Sequence, residues 1–395
     1  MCPEAGNVAP GPGQAVDRGG ARQQHGNDYP QDGLPVGCQH PACAPVFGEG
    51  VGAVSQHEGQ CGCDQVVVNL WLYTQFRITI PCMDWSLHIL KTPEEMFAVE
   101  DLQRLVWPDS ETDIVPTHLL MAIVHSGGLV IGAFKKDEPQ KLIGFVFGFP
   151  ALEAKADQSH PWHHSHQLGV HPDYRNHGLG SALKRAQWQM VRHQGLERIT
   201  WTYDPLMSIN ARLNIAKLGA VCNTYIRSLY GEMRDGLNVG IPSDRFRVDW
   251  WVHSLRVIRR LSRQRRLTLD LAHYLDAGSE IINRSNMDEA GWPLPPWRSL
   301  PSDVELIALL RPNNLADGGS EAGGNDLVPV LMVEIPADYL ALKAAHLALA
   351  LEWRLHTREL FEYLFYQGYL VTDFVHLLGA YPRSFYVLSH GEQTL

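Results

Sequence analysis

Between residues 83 and 253 the apolar positions fall into short runs whose spacing switches between the periods of a strand and a helix. Residues 84–90 predict a strand. Thr92-Pro93-Glu94-Glu95 then predicts a helix start, with a hydroxyl cap, a proline where no amide donor is needed, and a glutamate able to close a capping box. Met96, Val99, Leu102 and Val106 continue at helical spacing until Trp107-Pro108 ends the run. Residues 128–134 and 141–149 read as strands joined by a polar turn, and their near-continuous apolar character predicts burial on both faces. Residues 164–170 are a third strand. Leu179, Leu183, Ala186 and Met190 form one helical stripe that Gly195 ends. Residues 198–203 predict a strand, 208–218 a helix stopped by Gly219, and 220–225 and 246–252 two more strands. The order is strand, helix, three strands, helix, strand, helix, two strands, so the fold class is α/β (α+β).

The rest of the chain divides around this block. Residues 1–82 are rich in Gly, Pro and Gln with few large aliphatics up to about residue 64, a composition that cannot offset the entropy of ordering. They read as a disordered extension or a start assigned too early, with residues 66–73 and 76–80 alone apolar enough for strands. Residues 254–303 read as a linker, opened by Arg256, Arg259, Arg260, Arg263, Arg265 and Arg266 on a solvated helix. Residues 304–395 predict a smaller C-terminal α+β region: strands at 304–310 and 327–334, a helix over 337–366, and strands at 369–374 and 384–388. This region either caps a pocket or mediates a homodimer.

Composition narrows the function. The 395 residues hold 43 acidic against 33 basic side chains, a formal charge of -10, which argues against nucleic acid or an anionic membrane surface as partner. No apolar run approaches the roughly 20 residues that span a bilayer. The N-terminus lacks a basic region followed by an apolar core, so a cytoplasmic location is expected. Six of seven cysteines precede residue 83. Cys38, Cys43, Cys61 and Cys63 could supply four thiolates to zinc, but their spacings are not those of a zinc ribbon, and no metal is expected.

The sharpest motif follows the third strand. In Arg175-Asn176-His177-Gly178-Leu179-Gly180 two glycines let the backbone approach a ligand, and the free amides at the positive end of the following helix dipole suit a pyrophosphate. A plain strand-to-helix turn is the alternative reading of those six residues. With Val-x-Pro ahead of it and a strand, a helix bearing Asn210 and Lys-Leu-Gly behind it, the segment resembles the GNAT superfamily of acyl-CoA-dependent N-acyltransferases over residues 84–252. The resemblance implies a GNAT fold with a central mixed, mostly antiparallel sheet. It also implies acetyl-CoA as co-substrate, its pyrophosphate on Arg175, Asn176, His177, Gly178, Leu179, Gly180 and Ser181. Its pantetheine would lie along Leu168, Gly169 and Val170, at a splay from residues 198–203, near Asn210. The segment 230–250 is similar to a GNAT subfamily with no assigned acceptor that also carries a C-terminal extension.

Acyl transfer to an amine requires a base, a group that polarises the carbonyl, and an acid for the leaving thiolate. The resemblance assigns the carbonyl to the Val170 amide. It would place a tyrosine acid at position 215, where this chain has isoleucine, so Tyr230 is the candidate acid. His164 and His166 are the candidate bases, and strand alternation sets them on one face with Leu168 and Val170, opposite His163, Ser165 and Gln167. Glu153 and Asp204 are expected at the same end of the cleft, where either could hold a cationic amine. The expected reaction is acetyl transfer to a primary amine of a small molecule or peptide. The alternative is a protein that binds CoA as a sensor or scaffold without turnover.

Overall fold

The strand expected at residues 141–149 does not end where its apolar run ends. In the computed structural model, which describes residues 67–68, 77–79, 84–108, 111–155, 158–231, 240–262, 269–297, 301–302, 305–306, 310 and 327–391, β5 (Leu142–Lys155) continues through Pro150 and folds back as β6 (Gln158–Val170) in a long hairpin. The cysteine cluster, residues 1–64 and Arg263, Arg265 and Arg266 lie outside the described residues.

The hairpin sits inside one sheet of 13 strands, ordered β1-β2-β3-β4-β5-β6-β7-β9-β8-β14-β15-β13-β10. Its other members are β1 (Val67–Val68), β2 (Arg77–Thr79), β3 (Trp85–Ile89), β4 (Leu129–Lys135), β7 (Arg198–Tyr203), β8 (Val221–Ile226), β9 (Arg245–Trp251), β10 (Glu280–Ile281), β13 (Val330–Ile335), β14 (Leu370–Leu377) and β15 (Arg383–Ser389). A separate pair, β11 (Asn286–Met287) and β12 (Pro293–Leu294), lies outside it. Among the described residues only β6 with β7 and β10 with β13 pair in parallel. The sheet is therefore mixed and mostly antiparallel, as expected.

Helices cover both faces of β3–β6. On one face α1 (Pro93–Val106), opened by the capping box of Thr92 and Glu95, and α2 (Thr117–His125) bury Met96, Val99, Leu102, Leu120 and Ile123 on Phe145 and Phe147. On the other, α3 (Leu179–His193) buries Leu179, Leu183 and Ala186 on Leu87, Ile131 and Val146. The sequence reading lacked α2. Pro116 precedes it without a side-chain cap, and the run from Leu119 to Val124 is apolar at every position, so no polar spacing betrays its period.

Further along, the helix expected at 208–218 is two structures. α4 (Ser208–Ala211) passes into a π-helical turn, Arg212–Lys217, in which Leu218 N reaches Leu213 O at 2.9 Å. Of the arginines of α5 (Leu255–Leu261), Arg259 is exposed as expected, but Arg256 and Arg260 are not on a solvated face. Arg256 donates to the carbonyls of Gly219 and Thr372, and Arg260 donates to Ala216 O and pairs with Asp373 at 2.6 Å. The carbonyls left open where the π turn ends attract these donors. Beyond α6 (Leu271–Asp276), Glu305 and Leu306 are helical, not strand, and the helix expected over 337–366 breaks at His346 into α7 (Tyr339–Ala345) and α8 (Leu347–Tyr366). Among the described residues no helix is long and apolar enough to cross a membrane.

α8 fastens the later strands to the earlier ones. Arg354, Arg358 and Glu362, four residues apart on one helix face, pair with Asp204 at 2.5 Å, Asp244 at 2.7 Å and Arg227 at 2.5 Å. Burial works against a charge on Asp244, but Arg358, the Ser228 amide and the Tyr225 hydroxyl outweigh it and hold its carboxyl below the ordinary range. Tyr203 and Tyr386 join hydroxyls at 3.1 Å, and Tyr386 donates to Pro205 O. Removing one partner of a buried pair strands the other charge. Arg358→Leu is thus expected to lower unfolding free energy by about 3 to 5 kcal/mol in urea titration. Arg227→Ala, at an exposed pair, should lower it by less than about 1 kcal/mol; equal losses would contradict this assignment of the ion pairs.

Candidate active site

The loop after β6 is built for exposed amides. His171 accepts the Asp173 amide at 3.3 Å to start a 3-10 turn, Pro172–Tyr174. The chain then turns through Asn176 (φ 65°) and Gly178 (φ 83°), both left-handed, into α3. A Cβ on Gly178 would meet no atom within 4 Å, so glycine is required there by backbone angle and not by space. The first intrahelical bond runs from Ala182 N to Gly178 O. The amides of Leu179, Gly180 and Ser181 therefore precede the helix ladder, at the positive end of a 15-residue dipole. Arg175, Asn176, His177 and Gly178 are exposed, whereas the Leu179 side chain is core and offers only its amide.

Beside this loop the sheet forks. β6 and β7 pair at His163 with Ile199 and His164 with Thr200, and no further pair follows among the described residues. β7 turns instead to β9, with Tyr203 opposite Phe246. His171 N donates to Ile143 O, so alternation aims the amides of Leu168 and Val170 away from β5 and into the fork. Arg175 Nε reaching Val170 O at 3.4 Å marks the same direction. Gly169 answers a different demand: a Cβ there would lie 2.5 Å from the Phe145 ring. Asn210 is half-buried in α4, directly after β7.

A bulge overturns the expected alternation along β6. Phe147 pairs with Gln167 but Gly148 pairs with Ser165, so His166 is the extra residue and the facing reverses across it. Leu168 and Val170 pack with α3, and Ser165 lies on that same side, bonded to α3 through Lys184 and Gln187. His164 and His166 point to the opposite face, their rings 5.3 and 5.9 Å from Phe149, and His164 Nδ1 is 3.5 Å from Thr200 Oγ1. Burial, reinforced by His166 and Lys184, pushes His164 down to about 4, and burial also lowers His166. Both imidazoles are neutral at pH 7 and can accept a proton.

Tyr230 joins this face from the other side. Its hydroxyl is 3.1 Å from Thr202 Oγ1, on the stretch of β7 that borders the fork, and the Arg245 guanidinium lies 5.1 Å from its ring. Ile215 is fully buried in the core, so its side chain takes no part in the fork. Asp204 stands at the fork end of β7 but is engaged by Arg354 and by the Leu206 amide. Glu153 is not at that end at all: it pairs with His160 in the far arm of the hairpin, because β5 runs on past Phe149.

Residues absent from the sequence reading complete the site. Asp249 faces the same side as its β7 partner Thr200, 3.5 Å from Arg198, and burial raises its carboxyl pKa against the pull of Arg198 and Arg247. Behind the fork, Lys184 and Gln187 are buried against Ser165, His163 and Trp201. Their signal was two polar residues three apart beside the apolar stripe of α3. Among the described residues no three His, Cys, Asp or Glu side chains converge as metal ligands.

The chain resembles a GNAT-family acetyltransferase from Desulfovibrio desulfuricans at 14% identity, covering 42% of this chain and 99% of that one, with a TM-score of 0.34. NAA60 of Arabidopsis thaliana in complex with acetyl-CoA matches at 14% identity over 43% and 99%, TM-score 0.36. YncA of Salmonella typhimurium, with its cofactor acetyl-CoA, matches at 13% over 43% and 95%, TM-score 0.35. No curated protein matches the chain. The family model described as Acetyltransferase (GNAT) family matches residues 94–213. That span takes in α1, the bulged hairpin, the glycine turn and β7, and over it the chain matches the GNAT acetyltransferase family.

Proposed function

We propose that the protein transfers an acetyl group from acetyl-CoA to a primary amine of a small molecule or peptide, using residues 83–253, with residues 304–395 bracing the site through α8. The observation that carries this reading is the adjacency of two sets of amides that have no backbone partner among the described residues. Those of Leu179, Gly180 and Ser181 suit a pyrophosphate, and those of Leu168 and Val170 line a fork into which an extended pantetheine can add like a strand. The acyl carbonyl would then meet a preorganised amide, the form of stabilisation that contributes most where negative charge develops.

In this reading the amine approaches over the face of His164, His166 and Thr200. The amine attacks in its neutral form; His164, already neutral, takes the proton from the nitrogen of the tetrahedral adduct, and Tyr230 donates to the departing thiolate. Nitrogen bonds to the acyl carbon, the carbon–sulfur bond breaks, and the products are an amide and CoA. A second reading, CoA binding without turnover, draws on Ile215: the resemblance would set the acid there, and the side chain is sealed in the core.

Calorimetric titration with acetyl-CoA tests the first step. Binding should survive Gly180→Ala, whose Cβ would meet Leu168 at an ordinary 3.5 Å. It should be lost in Gly178→Glu, which sets a carboxylate among the pyrophosphate donors and strains a left-handed φ by about 1 kcal/mol. A parent protein that does not bind removes both readings. Thiol release with a panel of amines then decides turnover: Tyr230→Phe should slow it by about tenfold or more with unchanged acetyl-CoA affinity, and an undiminished rate would remove Tyr230 as the acid. A base whose pKa is depressed acts once it has lost its proton. The acid limb of the pH–rate profile is therefore expected near the lowered value of about 4 for His164, and a limb near the ordinary histidine value of about 6.5 would exclude His164.

A further inference from the structure

The fork has an apex, and a lysine side chain occupies it. The last paired residues of β6 and β7 are His164 and Thr200, so Ser165 and Trp201 are the first residue on each strand beyond the pairing. Both are touched by one atom. Lys184 Nζ, from α3, lies 2.7 Å from Ser165 Oγ and 3.8 Å from the centre of the Trp201 ring. It also donates to Gln187 Oε1 at 3.2 Å, and Gln187 Nε2 donates to His163 Nε2 at 3.1 Å.

This is a costly arrangement. Lys184 is 3% exposed, burial pushes its ammonium well down, and no carboxylate pairs with it among the described residues. Its neighbours along the stripe, Leu183 and Ala186, are apolar core residues, and a leucine or methionine would fill the same position without desolvating a cation. What the amine supplies, and a methyl group cannot, is directed contact with both strands at the point where they part. Left to themselves, two adjacent strands with free amides on their facing edges gain hydrogen bonds by pairing further. Contacts that hold Ser165 toward α3 and seat the Trp201 ring against the Lys184 amine set the spacing from which β6 and β7 diverge.

We propose that Lys184 is a positioning residue which pins the apex of the fork, through Ser165 on one strand and Trp201 on the other, and so keeps open the slot for the pantetheine arm. The assignment to a pantetheine rests on the acetyl-CoA reading above; the pin itself is a property of the free protein. An arm paired along Val170 back to Ser165 would cover about 17 Å at the strand rise, and its end would lie at the pin.

Hydrogen exchange and calorimetry on Lys184→Met and Ser165→Ala test this. In Lys184→Met the melting temperature should hold or rise, because a buried amine without an acid partner is removed. The amides of Leu168 and Val170 should exchange more slowly as the strands close, and acetyl-CoA should bind about tenfold more weakly. Ser165→Ala should move both readouts in the same direction by less. A merely structural lysine predicts the opposite sign, faster exchange with a lowered melting temperature, and that result overturns the pin, as does parental exchange and affinity in Lys184→Met. If Lys184→Met does not fold, Ser165→Ala decides alone on the same two readouts. A parent protein that fails to bind acetyl-CoA sinks the functional reading only, and the exchange rates still judge the pin.

Discussion

Parallel pairing between β6 and β7 stops after two residues, and the rest of the site answers to the backbone groups this leaves without partners. Interior backbone donors are almost always satisfied, so a strand edge held open inside a sheet implies something that keeps it open and something that fills it. The first is supplied locally. The bulge at His166 shifts the phase of β6, and β7 is drawn away by six consecutive pairings with β9. The same bulge puts the two neutral imidazoles on the face opposite α3, so the irregularity that opens the fork also arms its outer side.

The later part of the chain makes that divergence durable. β7 ends at Tyr203, which meets Tyr386 of β15, and the next residue, Asp204, has its carboxylate against Arg354 of α8. The end of the strand that would have to swing in order to close the fork is therefore anchored from behind by elements more than a hundred residues away in sequence. α5 caps the carbonyls at the end of the π turn through Arg256 and Arg260.

Much of this was legible in the sequence where local chemistry decides structure. The capping box at Thr92, the glycine at the left-handed turn, and the strands flanking it are set by side chains acting on their own backbone, and each appears where its residues predict. The helix Thr117–His125 was not legible, because an uncapped and wholly apolar run has no period to read. The facing of His164 and His166 was missed for a related reason. A bulge adds one residue to an alternation, and nothing in Ser165-His166-Gln167 announces where the count slips. Charge misled at the basic run and at Asp204, where partners supplied by distant strands and helices convert apparent surface groups into joints.

The margins of the sheet have a bearing on how copies of the protein behave together. A sheet of 13 strands could expose long rows of unsatisfied amides at its two sides, yet among the described residues its outermost members are β1 and β10, two residues each. The side of β8 away from β9 is met by β14 at Val371 and Cys222. Among the described residues, strand addition at the margins of this sheet therefore finds only brief templates.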